Sequence, residues 1–263
     1  MCLILFALEA HPRYRLVLAA NRDEFYDRPT APASFWDDAP QVLAGRDLAE
    51  GGTWCGITTG GRIAAVTNYR DPRTYREGAP SRGRLVAAFL RGEMPPAAWL
   101  ERLRREGDSY NGFNLIFGNG RELLYFSNRG ELPARVPAGV HGLSNHLLDT
   151  PWPKVARGKE ALAKLLATRD ELVPDDLFAI LADRTPAPDQ LLPDTGVDLE
   201  RERLLSPRFI ATPTYGSRSS TVILIDRDNN CTFVERSFNG AAEHPRTVAY
   251  RFTIASPAQA PSR

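Results

Sequence analysis

Apolar and polar positions along the chain group into short strand-like runs divided by turn residues, with helical spacing confined to two regions that each hold a pair of helices. Leu3–Glu9 and Tyr14–Ala20 are nearly continuous apolar runs separated by Ala10-His11-Pro12-Arg13, which predicts a β-hairpin turning at Pro12. Opposed residues then have numbers summing to about 24, so Cys2 falls opposite Arg22; a slip of one or two residues would exchange the faces. The rest of the first forty residues reads as irregular loop. A second hairpin joins Thr53–Thr58 to Arg62–Asn68 through Gly60-Gly61, and a third joins Phe113–Phe117 to Glu122–Phe126 through Asn119-Gly120.

Between these hairpins, Ser81 is placed to cap a helix running to about Leu90, and Pro95-Pro96 opens another that carries Trp99, Leu100 and Leu103 at helical spacing. After a short strand at Val140–Asn145 come helices near Val155–Leu166 and Asp175–Ala182, then a Pro-rich, acidic loop excursion over 185–213. Strands return at Ser219–Asp226, Cys231–Phe238 and Thr247–Phe252, and the tail from Ser256 has the composition of a disordered segment. Hairpins imply antiparallel sheets, and paired helices argue against a doubly wound parallel fold. The expected fold class is α+β: a four-layer αββα sandwich of two antiparallel sheets, with residues 1–255 as one domain and 256–263 as its tail.

A length of 263 residues suits one large core, and 43% hydrophobic with 25% charged residues supplies an ordinary globular one. The formal charge of +1 gives no reason to expect a nucleic-acid partner. Only Lys154, Lys159 and Lys164 among the basic residues are lysines, a skew that codon bias explains without phosphate recognition. Cys2, Cys55 and Cys231 are odd in number and far apart, which offers neither a disulfide framework nor a metal-binding CxxC. Leu3–Leu8 is too short for a membrane span and lacks the basic flank of a signal peptide, so the expected compartment is the cytoplasm.

Cys2 changes that bland picture. If Met1 is removed, Cys2 carries a thiol and a free α-amine whose reference pKa lies near ~7.7–8.0, so one residue holds nucleophile and general base. Read alone, position 2 is more simply a chance cysteine in a strand. The hairpin pairing, however, brings Asn21-Arg22-Asp23-Glu24 beside it, four polar residues that are costly to bury unless paired. Arg22 can hold a thiolate or a substrate carboxylate, and Asp23 or Glu24 can hold the α-ammonium; the plain alternative is a solvated turn. Asn68 and Asn145 end strands, where an amide can donate to an oxyanion or simply turn the chain. Arg218 offers a cation near the same edge, or an exposed side chain. His11, His141, His146 and His244 show no metal spacing, no GxSxG or P-loop occurs, and Cys55 and Cys231 sit inside apolar strands as inert core thiols.

Met1-Cys2, Ala20-Asn21-Arg22-Asp23-Glu24-Phe25, Arg28-Pro29, Gly51-Gly52-Thr53-Trp54, Val66-Thr67-Asn68-Tyr69-Arg70, Gly142-Leu143-Ser144-Asn145 and Tyr215-Gly216-Ser217-Arg218-Ser219-Ser220-Thr221 together resemble the NRDE family, also called transport and Golgi organisation protein 2. That family is linked to Golgi and secretory organisation and to haem or lipid handling. The pattern is similar, more distantly, to the N-terminal-nucleophile hydrolases of the choloylglycine hydrolase and penicillin V acylase type. That resemblance implies an αββα fold and makes Cys2 the nucleophile, Arg22 the arginine closing the second strand, Asn145 the oxyanion-hole asparagine and Arg218 the later arginine. The aspartate of that pattern falls three positions after the arginine, where Phe25 stands here and the acids are Asp23 and Glu24 instead, a departure that means either a relocated acid or a lost activity.

The expected function is therefore a cysteine amidohydrolase acting on linear, non-peptide amides, with Cys2, Arg22, Asp23 and Asn145 catalytic and Asn21, Glu24, Asn68 and Arg218 contacting substrate. The competing expectation is a non-catalytic haem or acyl-lipid carrier on the same scaffold. Neither a cofactor nor a metal is called for, and the expected partner is a small amide, an acyl ligand or haem.

Overall fold

The computed structural model describes residues 2–130, 134–238, 240 and 245–255, so the expected disordered tail lies outside the described residues. The chain runs β1 (Cys2–Leu8), β2 (Tyr14–Phe25), β3 (Thr30–Trp36), β4 (Ala39–Asp47), β5 (Cys55–Thr58), β6 (Ile63–Asn68), α1 (Gly83–Arg91), α2 (Pro96–Glu106), β7 (Phe113–Gly118), β8 (Leu123–Ser127), β9 (Gly139–Leu143), α3 (Pro153–Thr168), α4 (Pro174–Leu181), α5 (Leu199–Leu205), β10 (Tyr215–Asp226), β11 (Asn230–Ser237) and β12 (Arg246–Thr253). The strands form two six-stranded antiparallel sheets, ordered β12-β11-β10-β2-β1-β9 and β3-β4-β5-β6-β7-β8.

Strand alternation explains the layering. In β1 the even residues Ile4, Phe6 and Leu8 point between the sheets, where they meet Ile57, Ile63 and Ile116 of the second sheet. The odd residues Leu3, Leu5 and Ala7 point outward and are covered by Val155 and Leu162 of α3 together with Leu177 and Leu181 of α4. A strand covered on both faces needs apolar residues at every position, which is why Leu3–Leu8 reads as an unbroken run. On the other outer face, Leu85, Val86 and Phe89 of α1 and Trp99 and Leu103 of α2 cover Val42, Ala64 and Phe117. The result is the αββα sandwich.

Four sequence expectations need correction. The segment after the first hairpin is not irregular: β3 and β4 pair there, and β3 takes Pro32 at a register break between Ala31 and Ser34 on the outer edge of its sheet, a place where a missing N–H is tolerated. Asn21-Arg22-Asp23-Glu24 does not end β2; the strand continues to Phe25 because Tyr215–Ser220 of β10 supplies the partner for each of these residues. The excursion over 185–213 contains α5, and Ser81 gives α1 no cap, since Arg82 occupies the cap position.

One ionisable group bridges the two sheets from inside. Glu235 of β11, 1% exposed, accepts a hydrogen bond from the Ala33 backbone N–H of β3 at 2.7 Å and another from the Thr221 hydroxyl at 3.3 Å. Burial pushes its carboxyl up to about 7 from an ordinary 4.5. Between those two values the folded chain holds a proton that the unfolded chain has released, so stability falls as pH rises through the window, by up to about 3 kcal/mol. Glu235→Gln removes this dependence. Urea unfolding at pH 4.5 and 7.5 should show the variant gaining on the parent by roughly that amount; a difference between the two chains that does not change with pH contradicts the assignment.

Candidate functional site at the amino-terminal end of the central hairpin

Cys2 sits at the start of β1 with its Cα opposite that of Arg22, the register expected from the turn at Pro12. Around it lies an open cavity of about 220 Å³ whose wall includes Cys2, Arg22, Asp23, Glu24, Trp54, Asn68 and Arg82. Parts of the chain far apart in sequence build that wall. The first hairpin contributes Cys2 and the far end of β2, and the entry to β5 contributes Trp54. Asn68 comes from the end of β6, and Arg82 from the turn that starts α1.

Arg22 is 6% exposed and its guanidinium lies 4.4 Å from the Trp54 ring, an arrangement that holds a buried cation by its flat face. It also donates to the Thr30 hydroxyl at 3.3 Å and lies 3.6 Å from the Glu24 carboxylate. Asp23 is 2% exposed; its Oδ1 accepts from Ser217 at 2.6 Å and its carbonyl accepts from the Tyr215 hydroxyl at 3.1 Å. Burial pushes the Asp23 carboxyl above the ordinary range, against the pull of the buried ammonium of Lys154. The Lys154 amine donates to the Leu205 carbonyl at 3.1 Å and is itself pulled by burial down to about 8.

Burial also raises the Cys2 thiol above its ordinary value; the charge on Asp23 adds to the rise and that on Arg22 opposes it. The resting sulfur is therefore a neutral thiol, and it needs a base to become a nucleophile. Cys55 and Cys231 are buried thiols whose ionisation burial likewise opposes, Cys231 being pushed up to about 12.

The two asparagines take different places. Asn68 lines the cavity. Asn145 is fully buried: its Nδ2 donates to the Asn68 carbonyl at 2.9 Å, and its Oδ1 accepts from Ser144 at 3.2 Å and from Arg70 at 3.5 Å. The Ser144 hydroxyl also donates to the Cys2 carbonyl at 3.0 Å, so this turn ties the starts and ends of three strands together. Asn145 thus stands behind Asn68 and outside the cavity wall.

Asn21 and Arg218 also lie elsewhere. The Asn21 amide donates to the carbonyls of Leu181 and Arg208 at 3.0 and 2.7 Å and accepts from Ser220 at 2.6 Å, which pins the end of α4 to the sheet and commits both of its N–H donors. Arg218 is the extra residue of a β-bulge between Ser217 and Ser219. Bulges turn a side chain out of register, and this one sends the guanidinium onto the carbonyls of Phe25 and Tyr26.

Two further groups escape a reading of the sequence. Arg70 and Glu202 form an ion pair at 2.6 Å with side chains 6% and 4% exposed. Glu202 also takes the Thr195 N–H at 3.2 Å, while the Arg70 backbone N–H donates to the Asn145 carbonyl at 2.7 Å. Glu202 belongs to α5, inside the segment expected to be loop, and no local pattern marks it. Arg82 follows Ser81, and only the packing of α1 against the second sheet brings it to Cys2.

Among the described residues no cluster of His, Cys, Asp or Glu has the geometry to hold a metal ion, and no helix is long and apolar enough to cross a membrane.

Comparison with known proteins agrees with this architecture. The chain is 42% identical to a bovine Transport and Golgi organization protein 2 homolog, over 92% of this chain and 94% of that one. It is 39% identical to the human homolog, over 97% and 100%. Among solved structures, a mutant of the conjugated bile acid hydrolase from Clostridium perfringens superposes over the full length of both chains with a TM-score of 0.52 at 8% identity, a likeness of fold. The profile of the Transport and Golgi organisation 2 family matches residues 1–240, and the chain belongs to that family.

Proposed function

We propose that this protein is an N-terminal-nucleophile amidohydrolase that cleaves linear amides with Cys2. The observation that carries this reading is the position of Cys2: the second residue of the chain, in the wall of a polar cavity that also holds Arg22, Asp23 and Asn68. The sandwich fold shared with a bile acid hydrolase supports it. Removal of Met1 turns the Cys2 nitrogen from a peptide amide into an amine, the base that a neutral buried thiol requires.

The chemistry follows from these groups. The α-amine takes the thiol proton as sulfur attacks the amide carbonyl, forming the C–S bond and a tetrahedral oxyanion. In this mechanism Asn68, which lines the cavity, donates to that oxyanion, and Asn145 acts behind it by fixing its backbone. The ammonium returns the proton to the leaving nitrogen as the C–N bond breaks, leaving a thioester and a free amine. Water, deprotonated by the same amine, then cleaves the thioester and the thiol regains its proton. Asp23 holds the α-amine in place during both proton transfers.

The test is to determine the N-terminal mass of the purified protein and assay it on a panel of linear amides, with haemin and an acyl-CoA titrated in parallel. The expected result is a chain beginning at Cys2 that turns over at least one amide. No turnover by that chain, together with equal binding of haemin or acyl-CoA by the parent and Cys2→Ala, would instead establish a carrier.

A further inference from the structure

The charges around the cavity do not cancel residue by residue. Glu24 lies between Arg22 and Arg28 at 3.6 and 3.7 Å. Asp47 is held by Arg28 at 2.8 Å and Glu50 by Arg84 at 3.1 Å, while Asp23 accepts from Ser217 at 2.6 Å. Each of these wall carboxylates is therefore engaged by a group other than Arg82.

Arg82 lines the same cavity and donates through Nη1 to the Gly112 carbonyl at 3.2 Å. Among the described residues no carboxylate lies within ion-pair distance of it. Burial pulls its pKa below the ordinary arginine value, so the cation is held at a cost in free energy. A guanidinium kept in a cavity wall with no carboxylate at ion-pair distance, and favoured only from further off by the Glu24 charge, has donors left for an anion, and its planar geometry matches a carboxylate. Ser81 and Asn68, also in the wall, add neutral donors beside it.

We propose that Arg82 selects the substrate by charge: its guanidinium binds a carboxylate carried by the amide that Cys2 attacks. This assignment rests on the hydrolytic reading of the site, yet the charge preference is measurable without turnover. The Cys2 sulfur displaces iodide from iodoacetate, which is anionic, and from iodoacetamide, which is neutral, forming a thioether in each case. Peptide mapping separates labelling at Cys2 from that at the buried Cys55 and Cys231.

The ratio of the iodoacetate rate to the iodoacetamide rate at Cys2 should fall at least about tenfold in Arg82→Gln and be largely kept in Arg82→Lys, as expected for loss of one charge-assisted hydrogen-bonding group. On the unaltered protein, N-acetylglycine should protect Cys2 from iodoacetamide where N-acetylglycinamide at the same concentration does not. The protection experiment remains decisive even if Arg82→Gln does not fold. An unchanged ratio in a folded Arg82→Gln, or equal protection by the two compounds, overturns the proposal. A charge preference with no amide turned over would remove the hydrolytic reading and leave the anion site. Turnover indifferent to the substrate's carboxylate would do the reverse.

Discussion

Glu202→Ala lowers the stability of the protein by about 3–5 kcal/mol, because it removes the carboxylate paired at 2.6 Å with the buried Arg70 cation. The side chains of this pair are 6% and 4% exposed, so water cannot replace the lost carboxylate. Thr195 loses the acceptor for its N–H at the same time. For a chain of this size the unfolding midpoint should drop by roughly 10 °C. The neighbouring pair between Arg203 and Asp189 is also short, 2.5 Å, but its side chains are 49% and 44% exposed, and Asp189→Ala should leave the midpoint where it was. Combining Arg70→Met with Glu202→Leu should recover part of the loss, since the double variant removes the buried cation together with its carboxylate. Thermal melts of the three variants check this; a Glu202→Ala midpoint within a degree or two of the parent rules it out. The effect reaches the site through Arg70, whose backbone and guanidinium both hold Asn145, and through Asn145, which holds Asn68.

That dependence shows which parts of the molecule a sequence can reveal. Hairpins with tight turns are legible because their partners are close along the chain: Pro12 alone places Cys2 opposite Arg22. Gly61, with φ of 83°, takes the left-handed conformation that its turn requires. The β3–β4 hairpin is not legible, since Pro29 and Pro32 read as breaks, and the tolerance of an edge strand for proline depends on a sheet that local sequence does not announce. The polar stretch from Asn21 to Glu24 reads as the end of a strand for a similar reason; only β10, far along the chain, keeps it in the sheet.

Within the site, Cys2, Arg22, Asp23 and Glu24 are legible together because one hairpin carries them all. Trp54 and Arg82 arrive from the second sheet and its helix, and Glu202 arrives from an excursion whose composition marks it as loop. Their roles are set by tertiary contacts. The resemblance to cysteine hydrolases points to Asn145 for the oxyanion, whereas the geometry puts Asn68 in the wall and Asn145 behind it. Similar motifs identify the neighbourhood of a site more reliably than the direction in which an amide points.

The greatest loss of activity is expected from Cys2→Ala. It removes the only protein atom in the proposed mechanism that bonds to the acyl carbon, so the covalent route is lost and activity falls by at least about 10³-fold, by comparison with other covalent nucleophiles. The cavity loses one sulfur, while Arg22 keeps its stacking on Trp54 and Asn68 keeps its support from Asn145. Ligand binding should therefore survive the substitution. This makes the variant a direct control for covalent chemistry at Cys2.

The hydrolytic reading of the site depends on Cys2 being an acylated nucleophile at a free amino terminus. An amide- or ester-based acyl probe, followed by peptide mapping of the parent and Cys2→Ala, addresses that point without knowledge of the natural substrate. One modified N-terminal peptide should appear that begins at Cys2 and carries the acyl group, with no labelling of Cys55, Cys231 or the Cys2→Ala chain. An N-terminal peptide that retains Met1 and stays unmodified, under conditions in which the protein processes or binds its ligand normally, contradicts it.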